Sequence, residues 1–81
     1  MTEVVLLTKY DCDLCGQAKE TLERLSDEFE LQVREVALDS SEGAELALEA
    51  GAPFPPVVFV DGRLFSYGRL SERKLRKTLR V

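Results

Sequence analysis

Cys12-Asp13-Leu14-Cys15 holds the chain's only two cysteines. They follow an apolar run, Val4-Val5-Leu6-Leu7, and precede a segment with helical periodicity. Two thiols so placed can close reversibly into a small disulfide ring. A helix N-terminus beside them favours the thiolate that carries out disulfide exchange. The ring encloses only the two residues between the cysteines, so it removes less unfolded-state entropy than a long loop would. The pair therefore points to electron transfer through thiols rather than to a structural crosslink. Metal binding fits less well. Tetrahedral zinc takes four ligands, and the chain has no histidine and no third cysteine. Zinc or an iron-sulfur cluster would need a dimer sharing two cysteine pairs, or glutathione as an extra ligand. No metal site within the chain is expected.

The elements that must position the pair are legible from periodicity. Residues 3–8 read as a buried strand. Residues 13–29 read as a helix with Cys15, Ala18, Leu22, Leu25 and Phe29 on its apolar side, and with Glu20 and Arg24 as an i,i+4 pair. Residues 31–37 alternate, with Leu31, Val33, Glu35 and Ala37 on one side and Gln32, Arg34 and Val36 on the other. Asp39, Ser40 and Ser41 offer caps for a helix over about 41–50, whose small-residue face is Ala44, Ala47, Leu48 and Ala50. Gly51 fits a left-handed stop, and Pro53 prevents resumption. Residues 57–60 form a third strand, Asp61-Gly62 a two-residue hairpin turn, and residues 63–66 a fourth strand. Ser71 caps a last helix over 72–80, with Leu70 and Leu75 as a hydrophobic staple. The order β-α-β-α-β-β-α predicts an α/β fold: a four-stranded mixed sheet with helices on both faces. The alternating first part is expected to be parallel through right-handed crossovers, and the second part to be a hairpin. One domain is expected over 1–81.

A CxxC after the first strand of a βαβ unit resembles the redox motif of the thioredoxin-like fold. Pro56-Val57-Val58-Phe59-Val60-Asp61-Gly62 resembles the proline, strand and turn of glutaredoxins, and Lys9 stands where that family usually has a lysine. The resemblance covers nearly the whole chain and is closest to small, compact glutaredoxin-like bacterial proteins. It implies a cis proline at Pro56 facing the CxxC, with the backbone of Pro55 beside Cys12 open to an extended substrate. Read from the residues alone, Pro55-Pro56 also reads as a helix stop and an extended lead into the next strand. The resemblance also implies that Cys12 attacks a substrate disulfide and Cys15 resolves the mixed disulfide. Three features depart from the family. Asp13-Leu14 lies between the cysteines, a proline precedes Pro56, and Ser66-Tyr67-Gly68-Arg69-Leu70 replaces the glycine-rich segment that helps hold glutathione. Lys9 and Arg69 read either as solvated cations or as holders of glutathione carboxylates. Tyr10 and Tyr67 either line the same groove or pack at its edge.

The expected function is a small glutaredoxin-like thiol-disulfide oxidoreductase that reduces protein or low-molecular-weight disulfides. It would bind no cofactor, take glutathione as a possible co-substrate, and receive electrons from a thiol or a flavoprotein reductase. The alternatives are a non-catalytic binding module and a metal or cluster carrier acting through a dimer. No apolar run is long enough to cross a bilayer, and no secretory signal is visible, so a cytoplasmic protein is expected; a monomer is expected as well. Net charge is −4; residues 69–81 carry +5, six basic groups against Glu72, which leaves −9 for the remainder. Cations late in a helix suit its negative end, and the acidic remainder would repel a polyanion, so no nucleic-acid partner is expected.

Overall fold

The computed structural model describes residues 1–52 and 54–80. Its elements are β1 (Thr2–Thr8), α1 (Asp13–Ser26), β2 (Leu31–Ala37), α2 (Ser41–Ala50), β3 (Val57–Val60), β4 (Arg63–Tyr67) and α3 (Glu72–Leu79). The sheet order is β2-β1-β3-β4. Central β1 is apolar without alternation because both of its faces are covered. Val4 and Leu6 join Ala18, Leu22 and Leu25 of α1, Val58 of β3 and Leu75 of α3. Leu7 joins Val36, Val57 and Phe59 on the opposite face, where α2 adds Leu46, Ala47 and Ala50.

Parallel pairing is confined to β1 and β2; β3 runs antiparallel to β1 rather than continuing a parallel series. The register explains this. Ala37, the last residue of β2, lies beside Thr8, and Val57, the first residue of β3, lies beside Leu7. The connection through α2 thus starts and finishes at one end of the sheet, so the strand that follows must run back. Gly51, left-handed at φ 68°, ends α2. Pro53, expected to prevent the helix from resuming, lies outside the described residues.

Three local expectations are corrected. Helix α1 ends at Ser26 rather than at residue 29. The Ser26 hydroxyl donates to the Leu22 carbonyl, and the N–H groups of Asp27 and Glu28 bond back to Arg24 and Leu25 in a tightened last turn. Phe29 still packs on the core. Arg24 pairs with Glu72 of α3 at 2.8 Å instead of forming the expected pair with Glu20. On α2, Leu48 is 83 % exposed and Leu46 faces the sheet in its place. Gly43 sets that rotation. It lies so close to Ala37 that a Cβ would overlap the Ala37 carbonyl, and the inward stripe becomes Gly43, Leu46, Ala47 and Ala50. At the hairpin, Asp61 and Gly62 both have positive φ, as a two-residue turn of this type requires. A register shift between Val58 and Phe59 leaves Phe65 as an extra residue in β4.

Candidate active site

Thr8 closes β1, and Asp11 turns the chain with φ 59°, a left-handed conformation that aspartate tolerates better than most residues. Cys12 follows as the N-cap of α1. Its Sγ accepts the N–H of Cys15 at 3.1 Å, and its carbonyl accepts the N–H of Gly16. A sulfur thus occupies the place that a serine or aspartate oxygen usually takes at a helix start. Cys12 and Cys15 are joined in a disulfide, with their Cα atoms 5.2 Å apart. Cys15 is 3 % exposed and lies in the apolar face of α1, whereas Cys12 is only half-buried. When the bond is cleaved, the helix N-terminus and the Cys15 N–H favour negative charge on the Cys12 sulfur.

The strand register brings the proline segment to the same end of the sheet. Leu7 pairs with Val57, and Val57 with Tyr67. Pro56 immediately precedes this row, and its carbonyl accepts the Gly68 N–H at 2.9 Å. The Pro55–Pro56 peptide bond is cis. Pro56 is buried and Pro55 partly exposed. Lys9 and Tyr10, on the loop from β1 to Cys12, are exposed, as is Arg69 just after Gly68. Topology therefore places all seven candidate residues (Lys9, Tyr10, Cys12, Cys15, Pro55, Pro56 and Arg69) at one sheet end; no polar contact draws Lys9 or Arg69 to the disulfide. Among the described residues no three Cys, Asp, Glu or His groups cluster as a metal site would require.

Two features of this end escape the sequence reading. The Thr8 hydroxyl donates to Glu35 at 2.7 Å, and Lys19 reaches the same carboxylate at 3.3 Å. The Thr8 hydrogen bond is the main cause that holds the Glu35 carboxyl below the usual carboxylate range; Lys19 adds to it and partial burial opposes it. The signal was present, because Glu35 alternates with Leu31 and Val33 on a strand side that faces α1. The second feature is an edge-to-face pair of Phe54 and Tyr67, with ring centroids 5.4 Å apart. Gly68 makes room for it: its φ is 77°, and a Cβ there would stand 2.9 Å from the Phe54 ring. The two aromatics lie 13 positions apart, so no local pattern marks the pair.

Solved structures with the same arrangement are thioredoxin-like. An uncharacterized thioredoxin-like protein from Clostridium perfringens superposes with a TM-score of 0.79 at 15 % identity, covering 99 % of this chain and 69 % of that one. Oxidized mitochondrial thioredoxin 3 from Saccharomyces cerevisiae gives 0.72 at 18 % identity, covering 98 % and 76 %. These likenesses define the class by fold. The glutaredoxin-like domain (DUF836) family model matches residues 3–80, and the chain belongs to that family. An uncharacterized protein of Mycobacterium tuberculosis is 38 % identical over 77 residues, spanning 91 % of this chain and 78 % of the relative.

Proposed function

We propose that the protein is a thiol-disulfide oxidoreductase whose reacting groups are Cys12 and Cys15. One observation carries the reading: the half-buried Cys12 sulfur is both bonded to Cys15 and held at the N-terminus of α1 by the Cys15 N–H. In the reduced protein the Cys12 thiolate attacks one sulfur of a substrate disulfide. The S–S bond breaks, the first substrate thiolate leaves and takes up a proton, and a mixed disulfide forms on Cys12. Cys15 then loses its proton and attacks the Cys12 sulfur. The second substrate thiol departs and the Cys12–Cys15 bond closes. Two electrons pass from the protein to the substrate. Glutathione or a flavoprotein reductase returns them, and no bound cofactor is needed.

The test is turnover of a small disulfide together with trapping. Cys12→Ser is expected to abolish turnover. Cys15→Ser is expected to accumulate mixed disulfides at Cys12 that reductant releases. A Cys12→Ser variant that kept its activity, or an inert wild-type protein, would overturn the reading.

A further inference from the structure

We propose that the site takes an extended, cysteine-bearing segment of a protein partner, apolar and uncharged around its disulfide, in preference to oxidised glutathione. This specificity rests on the dithiol reading above.

The backbone supplies the first argument. In an antiparallel ladder alternate residues exchange both an N–H and a carbonyl with the residue opposite. Proline has no N–H, so Pro55 and Pro56 remove two successive donors at the sheet end that holds the disulfide. The Pro56 carbonyl already accepts from Gly68. Within this dipeptide, among the described residues, only the Pro55 carbonyl is left for an incoming strand, so docking is acceptor-only. A short polar tripeptide depends on such backbone bonds for much of its binding. A longer segment makes up the loss with side-chain area.

That area is present. Phe54 is 54 % exposed and Tyr67 45 % exposed, although each packs against the other. Tyr67 belongs to the Leu7–Val57 row, so the pair sits directly beside the proline segment. Tyr10, on the loop leading to Cys12, is 84 % exposed. Exposed, mutually braced aromatics are the side chains that most often anchor protein partners.

Charge gives the third argument. Asp11 and Asp13 bracket Cys12 and are both exposed. Lys9 and Arg69 balance them in number across this sheet end, but the aspartates flank the attacking sulfur. Oxidised glutathione carries twice as many carboxylates as ammonium groups, so its approach to Cys12 is disfavoured. Screening makes this a contribution to encounter rate rather than an absolute bar.

The experiment measures second-order rate constants of the reduced protein with three disulfides. They are hydroxyethyl disulfide, oxidised glutathione, and a symmetric disulfide of an end-capped peptide with leucine and phenylalanine beside its cysteine. The peptide is expected to react at least about tenfold faster than oxidised glutathione. Phe54→Ser should lower the peptide-to-hydroxyethyl rate ratio by about fivefold. Pro55→Ala, which restores an N–H, should raise the glutathione-to-hydroxyethyl ratio by about threefold. Ratios are insensitive to the fraction of folded protein, so a variant that folds poorly still reports. If hydroxyethyl disulfide is reduced but the peptide is no faster than glutathione, or either ratio stays fixed in its variant, the docking inference is overturned alone. If hydroxyethyl disulfide is not reduced at all, the dithiol reading fails and the inference falls with it.

Discussion

At the scale of the residue, Cys12 feels opposed influences. The helix N-terminus and the Cys15 N–H favour its thiolate, whereas the charges of Asp11 and Asp13 disfavour it. Asp11 allows a clean test, because asparagine also tolerates its left-handed φ of 59°. Asp11→Asn is expected to move the thiolate titration midpoint of the reduced protein downward, by a small amount because exposed charges are screened. Ultraviolet thiolate absorbance against pH reads this directly. A midpoint that stayed fixed or rose would show that Asp11 does not act on the sulfur.

At the scale of the element, α3 is held to α1 through charge as well as through Leu75. Glu72 receives Arg24 at 2.8 Å and Arg76 at 3.0 Å, and Arg76 also reaches Glu28 at 2.7 Å. The basic C-terminal segment is therefore partly neutralised by α1. Hydrogen bonds from Arg24 and then Arg76 hold the Glu72 carboxyl below its ordinary value of 4.5. A carboxylate depressed by folding contributes stability above its unfolded value. That contribution is lost as pH falls through the lower, folded value. Wild type should thus exceed Glu72→Gln in urea midpoint near neutral pH, and the gap should narrow as pH falls below 4.5. Added salt should narrow the gap at neutral pH, since the pairs are exposed. Urea unfolding across a pH series measures all of this; a gap that persisted in acid would mean that Glu72 acts through packing rather than charge.

At the scale of the whole molecule, a small ring in a two-sided core implies that the fold does not depend on its redox state. Closing a loop of this size contributes at most about 2 kcal/mol in the chain-entropy account. The sheet and its two apolar clusters do not pass through the cysteine pair, apart from Cys15 in the α1 face. Oxidised and reduced protein should therefore differ by less than about 2 kcal/mol in unfolding free energy. Denaturant titration with and without reductant checks this, and a gap above about 4 kcal/mol would assign the disulfide a structural role.

Periodicity and turn chemistry carried much of the fold in this chain. The unbroken apolar run of residues 3–8 announced a buried strand, Asp61-Gly62 announced a hairpin, and Cys12-Asp13-Leu14-Cys15 announced the redox pair. These signals are local, set by backbone preferences and by the spacing of side chains along one element. Other features depend on which residues meet across the fold. The antiparallel entry of β3 follows from where α2 returns the chain. The turning of α2 onto Leu46 follows from the close approach of Gly43 to Ala37. Arg24 left Glu20 for Glu72 because α3 packs within reach. Thr8 and Glu35 lie 27 positions apart, and Phe54 and Tyr67 lie 13 apart. No intra-element spacing could pair them, because only the β2-β1-β3-β4 register brings them to one end of the sheet.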